Sequence, residues 1–295
     1  MIRTILTIAA VVIALQCSGP AQAALDWQKV EQVLGRKAAT MPGDVHRFGF
    51  PRSDLKVTLD GVTIKPALAL GSWLAFKETT DGAVVMGDLV LTSDEVNPVM
   101  QRIAEGGIEI TALHNHLLRS MPATMYMHIE GHGDPSKLAE TLYGALGLSK
   151  TPLEAPPAAA APESIDLDTA ALEKILDSKG KASGGVYQFS IPRAEPIKAG
   201  DMDVPPAMGT AIAINFEPTG GGKAAIAGDF ALAAAEVNPV LRTLRANGIE
   251  VTAIHNHMLN EEPRLFFMHF WANDDATKLA KGLRAALDQV NTAKM

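Results

Sequence analysis

Six histidines carry the chemistry that this chain can do. They form two triads of identical spacing: His114-Asn115-His116 with His128, and His255-Asn256-His257 with His269. The stretch GIEITAL precedes the first triad and GIEVTAI the second, and each third histidine follows a methionine, Met127 or Met268. Neutral imidazoles bind divalent transition ions through a ring nitrogen, at about 2.0–2.1 Å for zinc, and three of them leave a fourth position open. Copper suits the same donors. His114, His116, His128, His255, His257 and His269 are therefore the candidate metal ligands, with zinc or copper as the ion. Glu95 and Glu236 are the candidate general bases on metal-bound water, and Asp88 and Asp229, each after a glycine, are further candidate ligands.

Whether three rings converge is a question of strand register. In an antiparallel hairpin, paired residues share a face. A loop over residues 117–123 pairs His116 with Thr124, puts Ala112 opposite His128 and leaves His114 in diagonal reach. Met127 and Met268 then point to the opposite face and are poor partners for the same ion.

The surrounding elements repeat as the triads do. Residues 83–91 read as a strand ending in a turn at Thr92-Ser93-Asp94, and Asn97-Pro98 reads as the start of a helix that stops at Gly106-Gly107. Residues 108–116 and 124–129 alternate as two strands, and Asp134-Pro135 opens a helix with Leu138, Leu142 and Leu146 on one side. The expected fold class is α+β: two tandem ferredoxin-like (βαββα) repeat domains with mainly antiparallel sheets, a further strand coming from residues 45–50 or 57–59. Phe48, Pro51-Arg52 and Asp60 recur as Phe189, Pro192-Arg193 and Asp201 at the offset of 141 that relates the triads, so each domain is a full duplicate. Residues 151–164, rich in alanine and proline, read as an extended linker between domains at 24–150 and 165–295.

Residues 1–23 have the pattern of a cleavable signal peptide: Arg3, an apolar run over residues 5–15, and Ala21-Gln22-Ala23 before Ala24. The expected location is periplasmic or secreted. The single cysteine, Cys17, follows Gln16 within that signal, which is a poor context for lipidation, and the mature chain would hold no disulfide. No later segment is long and apolar enough to span a bilayer as a helix. A formal net charge of −7 without a lysine and arginine cluster argues against a nucleic-acid partner.

Two other functions compete with metal binding. One is a metal-free module for envelope glycan or another small polar ligand, with Phe266, Phe267 and Trp271 beside the second triad and Arg52 and Arg193 as anion contacts. The other is a metal-dependent hydrolase. Nucleophile elbows, phosphate loops and zinc-finger cysteine patterns are absent from the sequence.

The combination of Gly87-Asp88, Glu95, Asn97-Pro98, the stretch ending at His114-Asn115-His116, and Met127-His128 resembles the LppY/LpqO family of exported bacterial proteins, a domain of unknown function. The resemblance spans both halves, the first being the closer copy: Gly131-His132-Gly133 becomes Ala272-Asn273-Asp274 in the second. It implies export and a tandem architecture, and brings no catalytic residues with it.

Overall fold

In the computed structural model, which describes residues 25–155 and 164–294, each half is one six-stranded antiparallel sheet backed by helices. The first half contains strands β1 (Ala39–Met41), β2 (Val45–Pro51), β3 (Gly71–Thr79), β4 (Gly82–Thr92), β5 (Glu109–His114) and β6 (Thr124–Gly133). Its main helices are α1 (Trp27–Leu34), α2 (Ser93–Glu105) and α3 (Pro135–Leu146). The sheet runs β1-β2-β3-β4-β6-β5. The second half repeats this order with β7 (Gly180–Ser183), β8 (Val186–Ile191), β9 (Ile212–Gly220), β10 (Lys223–Ala233), β11 (Glu250–His255) and β12 (Leu265–Asp275), and with helices α4 (Thr169–Leu176), α5 (Ala234–Ala246) and α6 (Ala276–Leu287). The expected mixed, mainly antiparallel architecture in two similar halves is present. The sheet is wider than a four-stranded ferredoxin-like one, because β1, β2 and β3 join it ahead of the strand that leads into α2. Residues 45–50 do supply a sheet strand, whereas Thr58–Leu59 pairs with Val62–Thr63 in a separate small hairpin, with Thr58 also bridging to Met121.

The faces of each sheet have different partners. Phe48, Phe50, Leu74, Phe76, Leu89, Leu91, Met127 and Ile129 alternate onto one face and pack with Val99, Ile103, Leu138 and Leu142 of the helices. The opposite face carries Val45, Ala75, Val84 and Met86, which pack with apolar residues of the second half. Val90 and Tyr126 likewise meet Val186, Ala225, Ala227 and Trp271. The sheets therefore lie face to face between two outer helical layers. This explains β4, which is buried from Gly82 to Leu91 and so has no solvated side.

Directional contacts fix the two halves against each other. Gln188 Nε2 donates to the Ala67 carbonyl at 2.8 Å, the Lys65 backbone N–H to Glu217 at 3.0 Å, and Trp271 Nε1 to Asp60 at 3.1 Å. Arg47 lies over the Trp73 ring at 4.0 Å and donates to the Ala207 carbonyl. At the start of the linker, Arg36 donates to the carbonyls of Pro152, Leu153 and Glu154, and Leu153 packs on the first core. The signal segment with Cys17, and residues 156–163 of the linker, lie outside the described residues. Among the described residues no helix is long and apolar enough to cross a membrane.

The helix expected from Pro98 begins five residues earlier, at Ser93, and Pro98 lies inside it, as Pro239 lies inside α5. The N-terminus is set by a glutamate rather than by asparagine: Glu95 accepts from the Thr92 N–H at 2.8 Å and Glu236 from the Ala233 N–H at 2.7 Å. This back-contact to the N-cap backbone needs no hydroxyl, so the change from Thr92 to Ala233 leaves the glutamate's half of the cap intact.

Candidate functional site

The even pairing expected of the hairpin holds where it matters: Ala112 faces His128 and His114 faces Tyr126, and in the second copy Ala253 faces His269 and His255 faces Phe267. One residue earlier the register shifts, because Thr111 and Thr252 are extra, unpaired residues that bulge from β5 and β11. Strict alternation would put Ile108, Ile110, Ala112 and His114 on one face. The bulge instead sends Ile108 and Ile110 to the helical core while Ala112 and His114 face the other sheet. His116 and His257 lie just beyond the strands, where His116 stacks on Tyr126 at 3.3 Å and His257 on Phe267 at 3.4 Å. Met127 packs among the helices, as its strand parity requires.

Because the two histidine-bearing faces oppose each other, the triads form one cluster instead of two sites. His114 stacks on His255 with ring centroids 3.4 Å apart, His116 on His269 at 3.6 Å and His128 on His257 at 3.9 Å. Asp88 faces His128 across β4 and β6, and Asp229 faces His269 across β10 and β12. His128, His269, Asp88 and Asp229 are all less than a tenth exposed.

The proton positions follow from the backbone. Nδ1 of His114, His255, His257 and His269 lies 3.2, 3.0, 2.9 and 2.8 Å from the carbonyls of Asn115, Asn256, Gly209 and Gly228. A carbonyl only accepts, so these Nδ1 atoms carry the proton and their Nε2 atoms present bare lone pairs. All six Nε2 atoms of the cluster, and Oδ1 of both Asp88 and Asp229, are buried without a hydrogen-bond partner. His257 Nε2 stands 3.2 Å from Asp229 Oδ2, and His116 Nε2 3.9 Å from Asp88 Oδ2. Burial pushes every ring in the cluster below the ordinary histidine value, His269 to about 3, and neighbouring imidazoles add to the effect in His114, His116 and His128. The Asp88 carboxyl is pushed well up, by burial first and by the nearby Asp229 second.

Four overlapping sets bring three or four donor atoms within 4.8 Å of one another: Asp229 with His255, His257 and His269; Asp88 with His116 and His128; His114 with His128 and His255; and His114 with His116 and His269. Two of them draw on both halves. Such convergence was hidden from the sequence, since each repeat shows only its own triad.

Glu95 and Glu236 stand elsewhere. Glu95 accepts from Arg52 at 2.8 and 3.2 Å, from the Thr92 N–H and from the Lys150 N–H at 2.9 Å; Glu236 is held in the same way by Arg193, Ala233 and Asn291. Burial alone would raise these carboxyls, but the arginine and backbone donors hold both below the usual glutamate value, which suits an anion and not a base. Arg52 and Arg193, in turn, are spent on these carboxylates. Of the aromatics near the second triad, Phe267 and Trp271 are buried in the core, so they offer no open stacking platform.

The glycine before each aspartate has a steric cause. A Cβ at Gly228 would lie 2.0 Å from the Ala213 carbonyl oxygen, and one at Gly87 2.8 Å from that of Trp73. Gly228→Ala is expected to cost about 1–3 kcal/mol through overpacking and to weaken metal uptake by displacing Asp229. Urea unfolding together with zinc titration checks both effects.

Among solved structures, the trimeric bacterial microcompartment shell protein PduB is 12% identical, with 88% of this chain and 96% of that chain covered and a TM-score of 0.22. EtuB from Clostridium kluyveri is 9% identical, with 86% and 89% covered and a TM-score of 0.21. At those scores neither likeness carries an argument about this chain. No curated protein matches it. The family described as Domain of Unknown Function (DUF1259) matches over residues 28–147 and again over residues 170–289, and the chain belongs to that family as a tandem pair.

Proposed function

We propose that this is an exported protein that binds a transition metal of the zinc or copper kind in one centre made by both halves. The observation that carries this reading is the orphaned set of metal-ligating atoms: six imidazole Nε2 atoms and two carboxylate oxygens, buried together without a hydrogen-bond partner, with the proton held on Nδ1 in four of the rings. A buried acceptor without a partner costs about 1–3 kcal/mol, and eight in one place are a standing penalty unless a cation supplies what all of them lack. Imidazole is a borderline donor that suits zinc and copper, zinc also takes a carboxylate oxygen, and Nδ1–H bonds to backbone carbonyls orient His114, His255, His257 and His269 as such ligands require. A bound cation would also favour the ionised form of Asp88, which burial disfavours in its absence.

Binding fits the geometry better than hydrolysis does. The glutamates that a hydrolase would need as bases are locked in ion pairs, and the donors are numerous enough to close the coordination shell. The finer kinship to LppY/LpqO proteins belongs to the same reading, supported by Gly87-Asp88, His114-Asn115-His116 and Met127-His128. Export is supported by the signal pattern of residues 1–23, and the mature chain is expected to begin at Ala24, which N-terminal sequencing checks.

Elemental analysis of the full chain purified from its native envelope, alongside His114→Ala and His255→Ala variants, tests the metal. At least stoichiometric zinc or copper is expected in the wild type, falling in both variants because His114 and His255 stack at the centre of the cluster. Metal-free wild-type protein that also takes up neither ion in titration would sink the proposal.

A further inference from the structure

Resting on that metal reading, we infer that the centre is binuclear, holding two ions, one per half, and that it fills in order, the second half first. The argument is one of donors. A zinc ion in a closed protein site takes four ligands. A single ion would therefore satisfy four of the eight buried acceptors and leave the other four orphaned, while two ions account for all eight. The eight also divide evenly by chemistry, each half bringing three imidazoles and one carboxylate. One carboxylate per dication leaves each set with a single net positive charge, which limits repulsion between neighbouring ions.

The halves are not equally ready. In the second half, Asp229, His255, His257 and His269 already lie with all four donor atoms within 4.8 Å of one another. In the first half only Asp88, His116 and His128 do so. His114 instead belongs to the two mixed sets, with His128 and His255 and with His116 and His269. The separations agree: Nε2 to carboxylate is 3.2 Å for His257 and Asp229 but 3.9 Å for His116 and Asp88. The first ion enters a formed cage. The second requires His114 to leave its shared position and join Asp88, His116 and His128. The ion in the second half engages His255, the ring on which His114 stacks, and so takes away His114's partner in the shared set.

The probe is Zn²⁺ alone, added to the chelator-treated full chain and read by native mass spectrometry and by competition with a chromophoric chelator. Two ions per chain are expected, in two steps of at least tenfold different affinity. Asp88→Asn keeps the tight step and loses the weak one; Asp229→Asn weakens the tight step at least tenfold. Both substitutions are close to isosteric, and the wild-type stoichiometry needs no variant at all. One ion per wild-type chain would overturn the binuclear inference and leave metal binding standing, whereas no ion at all would remove both. Two equal steps, or loss of the tight step in Asp88→Asn, would overturn the order of filling.

Discussion

Metal-free protein is expected to lose stability steeply as the pH falls below about 6.5, the ordinary value of a free imidazole, and zinc is expected to push that loss to lower pH. All six rings of the cluster are held below their ordinary value, first by burial and then, for most, by one another. Between about 6.5 and the folded values, the unfolded chain binds protons that the folded chain refuses, so stability rises with pH and is withdrawn as pH falls. For His269 that window extends from 6.5 to about 3. A single ring contributes up to about 1.4 kcal/mol per pH unit within its window, already a sizeable share of the about 5–15 kcal/mol that holds an ordinary domain together, and all six act in the same direction. Asp88 works the other way: its carboxyl is raised, the folded state takes its proton more readily, and acid relieves part of its burial cost. One group opposes six. The failure should begin between the sheets, since protonated rings stacked 3.4–3.9 Å apart repel across the interface. Bound zinc requires deprotonated imidazole and so competes with the protons. Urea unfolding midpoints of chelator-treated and zinc-loaded chain from pH 7.5 to 4.5 check this. A flat profile for the metal-free chain across that range would contradict the structure's account of the cluster.

What the sequence could reveal about this site follows from what local periodicity encodes. The ring-gathering pairing of Ala112 with His128 was legible, because parity and loop length set a hairpin's register. The bulge at Thr111 was not, since an extra residue within GIEIT leaves no mark on alternation. Asn97-Pro98, a sound pair of start signals, points to a start five residues too late for α2, because the Glu95 back-contact overrides it. The face-to-face packing did leave a trace. GAVVMGDLVL in β4 is too apolar for a strand with one wet face, and its inward residues on the second half's side have to be covered by something. With the two halves of one chain so nearly alike, the other half is the natural cover. That step turns two triads into one cluster, and it belongs to tertiary structure rather than to the spacing within either repeat.

The second large effect is expected far from the histidines, at Arg52 and its copy Arg193. Arg52 is fully buried; it donates to Glu95 at 2.8 and 3.2 Å, to the Val90 carbonyl at 2.7 Å and to Asp54 at 2.9 Å. Glu95 in turn accepts the Thr92 and Lys150 N–H groups, so this one pair ties the end of β2, the end of β4, the start of α2 and the chain beyond α3. The second half repeats the knot with Arg193, Glu236, Glu195, Ala231, Ala233 and Asn291. Arg52→Ala removes the cation and leaves a buried carboxylate uncompensated, a loss of about 3–5 kcal/mol. Adding Glu95→Gln removes the charge and keeps one acceptor oxygen for one of the two backbone N–H groups, which reach different carboxylate oxygens, so Arg52→Ala/Glu95→Gln should recover part of the loss, and the double-mutant cycle measures that coupling. If the double variant is no more stable than Arg52→Ala, the charge is not the source of the cost. The two large effects also separate by pH. Glu95 is held below its ordinary value of 4.5, so its contribution is complete above that value and is lost as pH falls through the folded one, well below the onset set by the histidines. In Arg52→Ala that hold is gone and burial raises the Glu95 carboxyl, so the deficit relative to the wild type should be largest near neutral pH and shrink as acid neutralises Glu95, with zinc stoichiometry unchanged wherever the chain remains folded. A steeper slope between pH 5 and 7 would mean that the arginine knot and the histidine cluster are coupled through β4, the strand that carries both Asp88 and Val90.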